Sequence, residues 1–116
     1  MDNVPVVVDS AKESTFRYVT FNIGEELFGV DIMHVESIIP AQTITTVPRT
    51  RDYFLGIINL RGEVIYIIDM RLRFGMEKKE ITPDTRIVVT LTNGILIGMM
   101  VDRINAIEVL IAGDIR

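Results

Sequence analysis

Arg61 stands at the joint of two apolar runs, IINL and VIYIID, within the stretch GIINLRGEVIYIIDMRLRFG that spans 56–75. A guanidinium there could bind phosphate, serve catalysis, close an ion pair inside the fold or meet another protein. His34 is the single histidine, and Asp31 lies three residues before it. On one helical face the two would offer two metal ligands. Zinc takes three or four protein ligands, so the pair alone falls short of a site and reads as well as an ordinary surface or half-buried histidine. The same scarcity weakens acid–base catalysis, in which histidine is the commonest participant. Ser10, Ser14 and Ser37 are the serines, and none sits in a G-x-S-x-G elbow.

Asp69 and Asp102 each end an apolar run, where two carboxylates could meet for catalysis. The structural reading is simpler: Asp69 caps the turn that follows, and each acid pairs with a nearby arginine, Arg71 or Arg73 for the first and Arg103 for the second. Gly94 and Gly98 flank ILI inside a hairpin pattern, and no G-x-x-x-x-G-K-S/T loop occurs, which argues against nucleotide binding by a standard loop. Among the methionines, Met99 and Met100 fall within a strand pattern and belong to the core, while Met33 suits a surface.

Bulk properties narrow the classes further. The 116 residues suit one domain, and a 48% hydrophobic share allows a real core. Sixteen acidic against twelve basic residues leave a net charge of −4, with no basic run to neutralise phosphates, so no nucleic-acid partner is expected. Zero cysteines exclude disulfides and thiolate metal sites and fit a reducing cytosol. No window approaches the roughly 18 apolar residues of a membrane span, so no direct membrane insertion is expected. The start, MDNVPVVVDSAKES, is acidic and its apolar run too short for a signal peptide, which makes 1–14 a flexible lead to a domain at 15–116.

The elements that must carry these residues read mostly as strands. In FRYVTFNI, Val19, Phe21 and Ile23 alternate with polar or amphipathic neighbours, and Gly24-Glu25-Glu26 turns into LFGVDI. DIMHVESIIP predicts a short helix, with Asp31 as N-cap and Pro40 as its end. The segment 41–51 reads as loop plus edge strand. Two buried strands follow around Arg61-Gly62, then a turn or two of MRLRF capped by Asp69 and closed by Gly75. Asn93-Gly94 between RIVVTLT and ILIGMMV is the strongest short hairpin signal. A last strand is expected at about Ile107 to Ile111. The sum is an all-β barrel or pair of barrels.

Arg61, at a tight turn between apolar strands, must point outward, because burying it unpaired is costly. The same stretch resembles the signature of CheW-like domains, in which a G-x-x-N-L-R-G hairpin leads to an apolar strand, an Asp and an R-x-x-F-G-like turn. YVTFNIGEELFGVDIMHVESII, TTVPRTRDYFLG and RIVVTLTNGILIGMMVDRI resemble the family's first hairpin and helix, its approach to the signature and its later hairpin, in that order. The resemblance covers about 15–111. It implies two small five-stranded, SH3-like β-barrels with short helices, the second one incomplete because the family continues beyond a segment like NAIEVLIAGDIR. Tyr66 stands where the family commonly has Pro, a change a strand accepts.

The resemblance also implies a function: a cytoplasmic, non-enzymatic adaptor that couples transmembrane chemoreceptors to the CheA histidine kinase in bacterial chemotaxis. It implies no cofactor and no metal. Arg61 and Val35 match the receptor-facing positions, with Ile32 and Asn59 as their neighbours. The later hairpin, with Val89, Leu91, Ile97 and Met99, is the expected region for the regulatory domain of the kinase. The receptor partner is the cytoplasmic tip, placed in the groove between barrels. A regulatory module of a chemotaxis kinase or of a receiver-fused coupling protein is the alternative, and a ligand-binding barrel using His34, Asp69 and Asp102 a remote one. Unpaired strand edges at a short C-terminus lead to an expectation of homo-oligomers or domain swapping.

Overall fold

The computed structural model describes residues 15–48 and 51–111, and side chains from 17 to 108 within them. The lead 1–14 and the segment 112–116 lie outside that range, so the expectation of a flexible lead falls there too. Among the described residues eight strands follow one another: β1 Thr15–Ile23, β2 Glu26–Asp31, β3 Val35–Pro40, β4 Phe54–Leu60, β5 Glu63–Asp69, β6 Arg86–Thr92, β7 Ile95–Val101 and β8 Arg103–Ile111. A 3-10 turn at Ile32–His34 and a four-residue helix, α1 Met70–Arg73, interrupt them.

The strands form two sheets, a three-stranded one in the order β2-β1-β8 and a five-stranded one in the order β3-β6-β7-β5-β4. The architecture is all-β, as expected, but no closed barrel is found among the described residues. The shortfall against two five-stranded units lies in the sheet that contains β1, not in the one built from the middle of the chain. All pairings are antiparallel except β5 with β7, which run parallel through Ile65–Leu96 to Asp69–Met100.

Local chemistry sets most of the boundaries. Arg61 and Gly62 have φ of 55° and 83°, and Asn93 and Gly94 have 50° and 79°, the two positive values of a type I′ hairpin turn. Asp69 caps α1, its Oδ1 accepting from the N–H groups of Arg71 at 2.9 Å and Leu72 at 3.3 Å. Gly75 follows with φ 80°.

The helix expected over DIMHVESIIP is confined to its first turn. Asp31 does cap it, accepting from the Met33 N–H at 2.8 Å, but 35–40 form a strand paired with β6. Val35, Ser37 and Ile39 alternate with more exposed neighbours, and the β-branched Val35, Ile38 and Ile39 favour the pleated form. In the segment expected as loop plus edge strand, the only pairing among described residues is a single bridge from Thr45 to Ile57. It runs so close to Gly56 (φ 145°) that a Cβ there would lie 2.1 Å from the Thr45 carbonyl oxygen.

Two apolar clusters result. Ile58, Ile65, Ile67, Ile87, Val89 and Met100 fill one face of the five-stranded sheet. Its other face gives Val88 and Met99 to a shared core with Val19, Phe21, Ile23 and Val30 of the first sheet, joined by Met70 and Val101. Each such side chain contributes about 1.5–3 kcal/mol when fully buried. Among the described residues the chain passes between the sheets twice, at Ile32–His34 and at Asp102.

Candidate functional site

Strands of one sheet present alternate side chains to opposite faces, so β5 and β7 must each give two stripes. Ile65 and Ile67 point to one core, while Ile68 pairs with Met99 and Tyr66 with Ile97 on the other face. Part of that second face runs past the edge of the first sheet and is left uncovered among the described residues. The result is a groove of about 600 Å³ between the sheets. Its floor is Ile68, Thr90, Ile97 and Met99; Met70 and Arg73 of α1 bound one side, and Val30, Asp31 and His34 the other.

The groove is apolar at its floor and carries charge at its lips, a combination suited to an amphipathic helix. Arg73 is steadied by the Tyr53 ring, its guanidinium carbon 5.3 Å from the centroid. Tyr18 is paired across the β1–β2 ladder with Asp31; burial raises its hydroxyl above the usual 10.0, and the Asp31 carboxylate adds to this. A second, smaller hollow of about 420 Å³ lies at the hairpin end of the five-stranded sheet. Val64, Tyr66, Leu91 and Ile95 are exposed around it, with Glu36 and Glu63 at its rim.

The residues singled out in the sequence do not converge on one place. Arg61 is exposed at the β4–β5 tip, and among the described residues no ion pair holds it. Asn59 is exposed beside it on β4, opposite Val64. Ile32 and Val35, expected on a helix, lie on the 3-10 turn and the first residue of β3, half-buried against the shared core. Leu91, Ile97 and Met99 line the groove, whereas Val89 is 1% exposed inside the other core. Met33 is 84% exposed and Met99 and Met100 are buried, as their positions suggested.

His34, Asp69 and Asp102 do not assemble. His34 lines the groove, while Asp69 and Asp102 border a different, small cleft and are engaged in capping and ion pairing. Among the described residues no group of three potential metal ligands occurs. Asp102 pairs with Arg71 at 2.6 Å rather than with Arg103, and Asp69 lies 3.9 Å from the Lys78 ammonium. Sequence reasoning missed Ile68, Met70, Thr90 and Arg73 as groove residues. The alternation in IYIID and ILIGMM carried the signal, but nothing local said that both stripes would find a use.

A family model for the CheW-like domain matches residues 17–115. The chain belongs to the CheW-like domain family. It is 35% identical to the chemotaxis protein CheW of Helicobacter pylori over 79% of this chain and 56% of that one. It is 32% identical to CheW of Treponema pallidum over 97% of this chain and 67% of that one. A crystal structure of the scaffolding protein TtCheW from Thermoanaerobacter tengcongensis superposes with a TM-score of 0.77 at 36% identity, covering 82% of this chain and 65% of that one. The chain thus spans between about half and two thirds of the length of these CheW relatives. Among the described residues no helix is long and apolar enough to cross a membrane.

Proposed function

We propose that this protein is a non-enzymatic chemotaxis adaptor in the cytoplasm, which joins the tips of transmembrane chemoreceptors to the regulatory domain of a CheA-type histidine kinase. Membership of a family whose relatives are chemotaxis proteins supports the process. The observation that carries the mechanism is the groove between the sheets, with an apolar floor and charged lips. A receptor's helical hairpin would lay its apolar stripe on Ile68, Ile97 and Met99. Arg61 and Asn59, with Ile32 and Val35 at the crossing, would meet the flanks of the same receptor tip. The hollow around Tyr66, Leu91 and Ile95 would meet the kinase domain through an apolar centre, with Glu36 and Glu63 favouring a basic rim on the partner. Val89 supports that surface from within rather than touching the partner.

Binding to a soluble receptor-tip fragment and to the kinase's regulatory domain, measured separately, tests this reading. Arg61→Glu should weaken receptor binding and leave kinase binding and stability intact, stability within about 1 kcal/mol as for an exposed position. Ile95→Glu, at an exposed position of the hollow outside the groove, should do the reverse. Unchanged receptor binding by Arg61→Glu removes the turn from the receptor surface.

A further inference from the structure

The two crossings between the sheets are built differently. One is the 3-10 turn at the lip of the groove; the other is Asp102, held from three directions. The Asp102 N–H donates to the Asn22 carbonyl at 3.0 Å. Its Oδ2 accepts from the Gly24 N–H at 2.8 Å and from Arg71 Nη1 at 2.6 Å. Arg71 is itself anchored, its Nε donating to the Glu77 carbonyl at 2.9 Å and its carbonyl accepting from the Met76 N–H at 2.7 Å. Gly24 has φ 64°, and a Cβ there would lie 3.2 Å from Met76 Sδ, so the turn sits directly on this anchor.

One carboxylate oxygen therefore ties the β1–β2 turn of the first sheet to α1, which is rooted in the second. The two side chains are only 21% and 13% exposed, so solvent screens them less than a surface pair. Apolar packing in the shared core is non-directional and fixes that the sheets touch. A charge-assisted hydrogen bond has a defined length and direction and fixes how they stand. Helix α1 extends Met70 and Arg73 to the groove, so a shift of the first sheet against α1 would change the distance from Arg73 to His34 and Val30.

We propose that Arg71 and Asp102 form a clamp that sets the width of the groove, acting as positioning residues for the helix it receives. The inference rests on the reading of the groove as a receptor site, and its test separates the two. The chain has no cysteine, so nitroxide labels at Leu27→Cys on β2 and Ile95→Cys on β7, both exposed and in different sheets, report the spacing of the sheets without further changes. In the full chain, Asp102→Asn and Arg71→Gln should shift or broaden the distance distribution, and Arg71→Lys should keep it near the native one. Affinity for a soluble receptor-tip fragment should fall about ten-fold in the first two, as for mutations that alter coupling without touching the ligand. An unchanged distribution in folded Arg71→Gln, with only a lower melting midpoint, overturns the clamp. A native protein that binds no receptor fragment overturns the groove assignment, and the distance measurement then decides the clamp alone.

Discussion

Replacing Arg61 with Asn separates what the N-L-R-G turn costs from what it is for. Arg61 and Gly62 both have positive φ, at 55° and 83°, in a two-residue loop between Leu60 and Glu63. Asn-Gly is the favoured pair for that turn, because the Asn side chain tolerates the left-handed region. A longer side chain held there carries about 1–2 kcal/mol of strain. The Arg61 side chain is exposed, so its removal sacrifices no packing. Arg61→Asn should therefore stabilise the fold by about 1 kcal/mol, moving the urea midpoint up by about 0.5 M at a slope near 2 kcal/mol per molar. Receptor binding should fall at the same time by about 1.5–3 kcal/mol, the range for a hydrogen bond to a charged group, or roughly 10- to 160-fold in Kd. Urea titration and calorimetric titration with a receptor-tip fragment read the two quantities independently. A lower urea midpoint would mean that the turn carries no relievable strain at Arg61. Unchanged affinity would mean that the charge is there for solubility alone.

Gly56→Ala should destabilise by about 3 kcal/mol or more, since a strained φ of 145° is joined by a Cβ 2.1 Å from the Thr45 carbonyl oxygen. It would also break the bridge whose two hydrogen bonds measure 2.8 and 2.9 Å. A loss below about 1 kcal/mol in urea would show that the loop moves aside easily. At β8, Ile107 is 60% exposed although its ladder partner Val19 is 1% exposed, which leaves apolar surface beside a strand edge that is unpaired among the described residues. We expect self-association through that edge, seen by light scattering as a mass that rises with concentration. A compact monomer across a wide range would refute it.

What could be read from sequence was what short-range chemistry determines. The Asn93-Gly94 hairpin, the Asp69 cap and the outward Arg61 all follow from a handful of neighbouring residues, and each is found. Residues 35–39 were ambiguous, because Val35 with Ile38 or Ile39 satisfies helical spacing while Val35, Ser37 and Ile39 satisfy a strand. Pairing with β6, more than 45 residues on, decides it. The same limit hid the groove. Its floor joins β5, β6 and β7 through a parallel pairing that no turn signal announces, and its wall comes from β2 in another sheet. The partner of Asp102 lies 31 residues away on α1, where sequence proximity favoured Arg103. The family resemblance supplied the process but not the faces: Val89 faces a core, and Leu91 and Ile97 face the groove.

The pairing of β1 with β8 has a consequence for how the chain comes together. Thr20 Oγ1 donates to the Ala106 carbonyl at 3.1 Å across a separation of 86 residues. The five-stranded sheet lies wholly between them in sequence, so its contacts close shorter loops and should form sooner. Until β8 emerges, β1 and β2 are a lone two-stranded ribbon, a form of marginal stability in water. Val19 and Phe21 then have no neighbour on their β8 side. During synthesis the ribbon made first is thus the last to be secured, and it waits beside an already folded middle section with an adhesive face turned outward.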